Sequence, residues 1–324
     1  MDMRGQRVKI LVGLLVAVLT VFATGCGAGG AGSQFPTREL TYLIAFDPGG
    51  PSDREARRQQ PLLEKYLGQK VVIDYKVGAG GALAWAEVSR AKPDGYLFVG
   101  INVPHIILQP LLQPEVGYKT EDLKVIALFQ RTPIGLVVKK DSPYETLDDL
   151  LEAARQNPGS ISISGSGTYT AYHFATIQLE KLTGAKFKYV PFNGNAPAMT
   201  AFLGGHTTAT MAASDDMVKY KDQIRVLAIA DEQRFHMMPE VPTFKELGYD
   251  LVEVVDRGVA VPKDTPDPVV KKLEEAFLKV ANDPTVQEAM KKEGLVPIAM
   301  GVNESEQYIK KLQQRYTALV DEMR

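Results

Sequence analysis

The 324-residue chain has one cysteine, Cys26, four histidines, one tryptophan and no excess of positive charge. A lone cysteine excludes an intramolecular disulfide, so the fold must rest on its hydrophobic core. It also leaves no thiolate set for a structural zinc site, and His105, His173, His206 and His236 are too scattered to suggest another metal centre. With 37 Lys and Arg against 39 Asp and Glu, nothing points to nucleic acid. The uncharged run Ile10–Ala23 falls short of the roughly 20 residues that a membrane span needs. No GxSxG nucleophile elbow is present. The strand-and-glycine pattern around Val71–Ala91 fails as a dinucleotide fingerprint, because Leu83 stands where the third glycine belongs. Neither a cofactor nor a metal is expected.

That apolar run follows Arg4, Arg7 and Lys9 and exits through Ala23, Thr24 and Gly25 to Cys26, the layout of a secretory signal with small residues at its cleavage site. The segment resembles a bacterial lipobox. Resemblance implies a signal peptide over 1–25, diacylglycerol on the Cys26 sulfur and acylation (palmitate-type chains) of the new amino terminus. Two or more chains hold a protein stably on a membrane where one is marginal. The expected location is therefore the extracytoplasmic face of the bacterial cell membrane. Loss of Arg4, Arg7 and Lys9 together with Asp2 moves the formal charge from −2 to −4. Residues 26–38 read as the lipidated cysteine and a tether, whose GAGGAGS segment has no side chains to pack.

Nearly 300 remaining residues usually divide into two domains. From Leu40 short β-branched runs alternate with helical patterns, the mark of α/β layers with parallel strands. Strands are expected at Leu40–Phe46, Val71–Tyr75, Tyr96–Ile101, Ile126–Phe129, Ile134–Lys139, Ser160–Ser164, Phe187–Pro191, Thr208–Ala212 and Arg225–Ala230, with an extended segment at Leu251–Val261. Helices are expected at Arg54–Leu67, Ala82–Ala91, Thr146–Gln156, Tyr169–Thr183, Ala196–Leu203, Pro268–Asn282, Pro284–Glu293 and Ser305–Met323. Two crossings between halves suit a two-lobed clamshell with residues 39–138 and 256–324 in one lobe and 139–255 in the other.

Two glycine-rich loops carry the candidate chemistry. Each lies between a strand and a helix, where unpaired helix N-terminal amides form an anion site. In the first, Asp47-Pro48-Gly49-Gly50-Pro51-Ser52-Asp53, the glycines admit a ligand oxygen to the backbone and Ser52 or Asp53 is positioned to cap the helix. In the second, Ser164-Gly165-Ser166-Gly167-Thr168-Tyr169, hydroxyls flank the amides. If the two lobes face each other, the loops hold opposite ends of one small acid.

These residues resemble the substrate-binding proteins of tripartite tricarboxylate transporters, the Bug family of extracytoplasmic solute receptors. The resemblance is carried in order by Phe46 through Asp53, Leu67-Gly68-Gln69-Lys70-Val71-Val72, Gly78 to Gly81, Pro93-Asp94-Gly95-Tyr96, Pro158-Gly159, Gly165-Ser166-Gly167-Thr168 with His173, Val190-Pro191-Phe192-Asn193-Gly194, Gly204-Gly205 and Val241-Pro242-Thr243. It implies a Venus-flytrap, periplasmic-binding-protein-like fold of two α/β lobes with two crossover segments, and a monomer that delivers a carboxylate to two integral membrane subunits. The first loop then holds one carboxylate and the second loop the distal end, with Asn193, Gly194 and Asp215 as further lining residues. Asp47 stands where many members have proline, and Asn193 replaces a lysine; both changes lower the positive charge of the cleft. The resemblance also gives His173 the part of supporting loop geometry.

Among single residues, Arg257 at the return crossing is a candidate to pair with an acid in the cleft. Trp85 reads as packing between helix and sheet. The rivals to a receptor are an exported enzyme acting on a small carboxylate with the same architecture, and a scaffold lipoprotein with an idle cleft.

Overall fold

The structure, a computed structural model, describes residues 35–322. The leader, Cys26 and the GAGGAGS segment lie outside the described residues. Thr37 and Arg38, at the end of the expected tether, are held on Tyr96. The Thr37 N–H donates to the Tyr96 hydroxyl (2.9 Å) and the Arg38 guanidinium lies 3.8 Å from the ring centroid.

The first half is built from strands β1 (Leu40–Ile44), β2 (Val71–Tyr75) and β3 (Leu97–Val103), with helices α1 (Pro51–Leu67), α2 (Ala82–Ser89) and α3 (His105–Leu112). Proline at the first helical position starts α1, and Gly68 ends it in the left-handed conformation, its N–H bonded to Glu64 O at 2.9 Å. Next comes β4 (Leu123–Lys139), then α4 (Leu147–Gln156), β5 (Ser162–Gly165), α5 (Ala171–Thr183), β6 (Lys188–Pro191), α6 (Asn195–Leu203), β7 (Ala209–Ala213), α7 (Ser214–Lys219) and β8 (Ile224–Ile229). The return strand β9 (Val254–Pro262) leads to α8 (Asp267–Ala281), α9 (Pro284–Lys292), β10 (Val296–Met300) and α10 (Val302–Asp321).

Strand order is β2-β1-β3-β9-β4-β7-β5-β6, with β8 and β10 also paired to β4. Neighbours β1–β2, β1–β3, β5–β6 and β5–β7 are parallel, whereas every pair involving β4 or β9 is antiparallel. The long strand changes partners midway: Leu123–Pro133 pair with β9, and Ile134–Val138 pair with β7. Pro133, which has no N–H to offer a ladder, stands at the change. The loops after β1, β3, β5, β6 and β7 all leave carboxyl ends of parallel strands, where α/β sheets place ligands.

Several elements differ from expectation. The two short strands foreseen at 126–129 and 134–139 are one strand, because all but three of its residues are buried and no turn interrupts them. Helix α1 starts three residues early, at Pro51. Helix α3 and strand β10 carry an internal proline that hides their pattern, and α7 has only one and a half turns.

Each half packs its own core. Leu43, Trp85, Ile101, Ile107, Leu128 and Tyr316 belong to one, and Leu136, Leu151, Ile163, Tyr172, Met211 and Phe244 to the other. Trp85 is fully buried between α2 and the sheet and donates to Gly100 O at 3.0 Å, which confirms a packing role. Behind the sheet, Glu253 just ahead of β9 is fully buried and accepts from Gln178 of α5 (2.7 Å) and from the Tyr316 hydroxyl of α10 (2.8 Å). Burial pushes its carboxyl up to about 7, against the pull of Arg315.

A carboxyl raised in the folded state contributes most below its unfolded pKa and loses that contribution as pH rises through about 7. Glu253→Gln keeps a hydrogen-bonding group there without the charge. Thermal unfolding is expected to show a higher Tm for the variant at pH 8, with the gain shrinking steadily toward pH 5; a gain that ignores pH would refute the buried-carboxyl account.

Candidate functional site

Phe46 lies two residues past the end of β1 and opens the first loop. Gly49 (φ +82°) needs the left-handed region, and its N–H donates to Asp53 Oδ2 at 2.8 Å. The N-cap of α1 is Gly50, without a side-chain cap, so Ser52 and Asp53 lie inside the first turn and are not caps. Asp53 instead braces the loop, also accepting from Arg57 Nε (2.9 Å) and the Tyr75 hydroxyl (2.6 Å). The first-turn amides of a 17-residue helix therefore remain free of side-chain caps. Asp47 is half-buried, and its N–H donates to Asn193 O across the cleft (3.1 Å); Pro48 is exposed.

The second loop turns more of itself toward protein than toward the cleft. Ser164 is fully buried, its Oγ accepting from Thr207 at 3.1 Å. Gly165 lies against Tyr189 and Tyr172, leaving no room for a Cβ. Gly167 (φ +87°) meets the glycine turn after β2, where an added Cβ would lie 2.6 Å from Gly80 Cα. Thr168 O accepts from Gln109 Nε2 of α3 (2.7 Å). Tyr169 adopts a left-handed φ of +55°, and its N–H donates to His173 Nδ1 at 3.1 Å. His173 also stacks on Tyr189 at 4.2 Å, and burial holds its imidazole down at about 4, neutral at ordinary pH. The histidine thus supports the loop.

Between the loops lies a cavity of about 10 Å³ lined by Phe46, Gly50, Pro51, Ser52, Asn102, Ser166, Tyr172, Asn195 and Arg257. Deeper in, a second space of about 10 Å³ shares Ser52, Asn102 and Arg257 with it. Wider surface depressions, about 390 Å³ beside Leu123 and Ile309 and about 470 Å³ beside Ile224 and Met238, lie away from both loops.

Arg257 is the floor. It is 3% exposed on β9, opposite Asn102 of β3, and its Nη1 donates to the Thr132 hydroxyl. The Gln130 amide accepts from Nη1 (2.8 Å) and donates to Glu55 Oε2 (2.7 Å). Burial pushes the Glu55 carboxyl up to about 7, against the pull of Arg58 and Arg257. The Arg257 Nε has no partner. His105 sits edge-on between Phe46 (6.1 Å) and Tyr172 (5.9 Å) with neither ring nitrogen bonded. Burial, aided by the Arg257 cation, holds it down at about 3, so it is a neutral imidazole.

At the mouth, Arg54 of α1 bridges the two halves. Its Nη1 donates to Gly49 O (2.7 Å), and its Nη2 pairs with Asp215 and, at 3.3 Å, with Asp216 of α7. Of the residues expected from sequence, Gly50, Ser52, Ser166 and Arg257 meet around the cavity. Asp47, Asn193 and Gly194 face one another across the loops, and Asp215 engages Arg54. Pro48, Gly49, Asp53, Ser164, Gly165, Gly167, Thr168 and Tyr169 shape or brace the loops. Sequence reasoning did not reach Asn102, His105, Tyr172 and Asn195, nor Arg54 and Asp216. Only Asn195, beside the singled-out Asn193-Gly194, carried a local signal.

Gly49→Ala and Gly167→Ala separate conformation from contact. Both place a side chain at positive φ, costing about 1–2 kcal/mol. Only Gly167→Ala also drives a Cβ into Gly80, whereas nothing lies within 4 Å of the Gly49 position. Urea unfolding is expected to show the larger loss for Gly167→Ala; equal losses would mean that the Gly80–Gly167 approach is not made in solution.

Comparison with known proteins bears on the family and the fold. Residues 56–324 match the model of the tripartite tricarboxylate transporter family receptor. A protein of Pseudomonas sp. (strain P51), encoded in the tcbD-tcbE intergenic region, is 31% identical over 90% of this chain and 86% of its own. Among solved structures, the periplasmic binding protein BugD superposes with a TM-score of 0.84 at 27% identity, covering 89% of this chain and 98% of its own. MatC of Rhodopseudomonas palustris, solved with bound malate, gives 0.81 at 25%, covering 89% and 99%. With its mixed α/β periplasmic-binding-protein fold, the chain belongs to the tripartite tricarboxylate transporter receptor family, whose members are solute-binding receptors and not enzymes.

Proposed function

We propose that the protein binds a small organic acid between its two halves and delivers it to a transporter of two integral membrane subunits, working as a monomer anchored outside the membrane through Cys26. The observation that carries this reading is Arg257: a guanidinium buried beside the uncapped start of α1, with its Nε unpartnered. Burying a cation costs several kcal/mol unless it is paired, and an anion at this point meets both the charge and the helix-terminal amides. Hydrogen bonds to a charged group contribute about 1.5–3 kcal/mol each, so a few of them support micromolar affinity. The malate held by MatC is an acid of this class.

The cavity of about 10 Å³ has room for about one water, so a dicarboxylate enters only if the walls part. The expected boundary at 138/139 falls five residues past the point where β4 changes partners, and Ile134, Leu136 and Val138 pack in the second core, so we take residues 39–133 with 256–324 as one lobe and 134–255 as the other, hinged at Pro133 and just after Glu253. Closure then follows from ligand binding the closed state more tightly than the open one. In this reading Gly50 and Ser52 sit against the ligand from one lobe, and Ser166 and Asn195 from the other.

Calorimetric titration with a panel of mono- and dicarboxylates tests the reading. Arg257→Gln is expected to weaken binding by about ten- to a hundredfold, the loss of one charge-assisted contact. Gly50→Val, which fills the N-cap, is expected to abolish it. Native mass spectrometry of the chain from Gly27 onward, purified without dialysis, is expected to release a stoichiometric small acid. Unchanged affinity in both variants would overturn the assignment.

A further inference from the structure

Strand β8 (Ile224–Ile229) has a strand partner, β4, on one side only. The phase of that ladder is fixed at its two ends, where Lys140 N–H donates to Gln223 O (2.9 Å) and Ala230 N–H donates to Ile134 O (2.8 Å). In an antiparallel pair, residues that exchange hydrogen bonds alternate with residues whose backbone groups turn outward. The register slips once, between Leu136 and Val137, so counting inward from either end turns Ile224, Val226 and Ile229 away from β4. Ile229 finds partners on that outer side: its N–H donates to Pro242 O (3.0 Å) and its carbonyl accepts from Phe244 N–H (2.9 Å). Among the described residues, no hydrogen bond reaches the outward N–H or C=O of Ile224 or Val226. A sheet edge in that state is a template for another strand.

The edge borders the depression of about 470 Å³ beside Ile224 and Met238. Of the five exposed large apolar side chains among the described residues, two, Met237 and Leu247, line this depression. Charge lines it too. Lys140, Lys221 and Arg225 share its wall with two glutamates, Glu145 and Glu240, and among the described residues none of these three cations has an ion-pair partner. Arg225 gives its Nη1 to two backbone carbonyls, Ser142 O (3.2 Å) and Tyr144 O (3.0 Å), and meets no carboxylate.

We propose that β8 is a docking edge for a partner protein, which adds an extended segment with apolar side chains over Met237 and Leu247 and an acidic residue opposite Arg225. Strand addition of this kind takes its affinity from main-chain hydrogen bonds and its specificity from side chains. The charges favour such a partner over a second copy of this chain. An antiparallel copy that paired Ile224 with Val226 would set Arg225 directly against its own counterpart, and like charges in that position are destabilising. The edge lies away from both glycine-rich loops, and the inference does not depend on the receptor reading.

Short fluorescent peptides with valine at every second position and aspartate, serine or lysine between them, titrated against the full chain by anisotropy, test the proposal. The aspartate peptide is expected to bind about fivefold more tightly than the serine peptide, the worth of one cross-strand charge pair, and the lysine peptide least tightly. Only one edge of a peptide can pair with β8. Of two N-methylated aspartate peptides, one blocked at the valine amides and one at the amides between, one is therefore expected to lose about tenfold or more in affinity and the other to keep it. Val226→Pro removes an outward N–H and spares the β4 ladder, and is expected to weaken the unmethylated aspartate peptide by about tenfold. Equal effects of the two methylations, no preference among the three peptides, or no binding at all overturns the proposal. So does a dimer in sedimentation that Val226→Pro dissolves, which would make the occupant a second copy. The methylated pair decides on the wild-type chain even if the variant fails to fold.

Discussion

A guanidinium set deep between two strands of a sheet has to be surrounded by polar atoms, and much of this molecule's centre answers to that demand. Arg257 brings together β9, which carries it; β4, whose Gln130 and Thr132 accept from it; and α1, whose Glu55 lies behind Gln130. Breaking one partner of such a network leaves an uncompensated buried charge, which is far more damaging than loss of a surface pair. Thr132 and Gln130 occupy Nη1, while the buried Nε has no partner.

Backbone groups take part in the contacts between the loops alongside the Arg54 pair. Asp47 donates to Asn193 O, Thr168 O accepts from Gln109, and Gly80 and Gly167 approach closely enough that neither tolerates a side chain. Contacts of this kind carry no bulk and little apolar area. Behind the sheet the arrangement is different. Glu253 ties α5 to α10 through two hydrogen bonds to a buried carboxyl, and Phe174 packs edge-on against Tyr316.

The charges around the loops are of both signs: Arg257 is buried beside the start of α1, while Asp215 and Asp216 share the guanidinium of Arg54. Burial pushes the Glu55 carboxyl up to about 7, and burial together with the Asp215 charge does the same for Asp216.

Local chemistry was enough to read the layered α/β architecture, the helix ends at Leu67 and Thr183, the two glycine-rich loops and the candidacy of Arg257, because each depends on a period, a conformational freedom or a charge visible within a few residues. It misjudged the start of α1, where Pro51 outranks Ser52 and Asp53, and it treated most of the second loop as facing ligand when Ser164, Gly165 and Gly167 face protein. What no local pattern contained were the long-range meetings: Arg54 with Asp215 across 161 positions, Arg257 with Thr132 across 125, and His105 between Phe46 and Tyr172. Those pairings arise only when β4 and β9 bring two sheets edge to edge, since a charge's partner is chosen by distance in space and desolvation, neither of which is written along the chain.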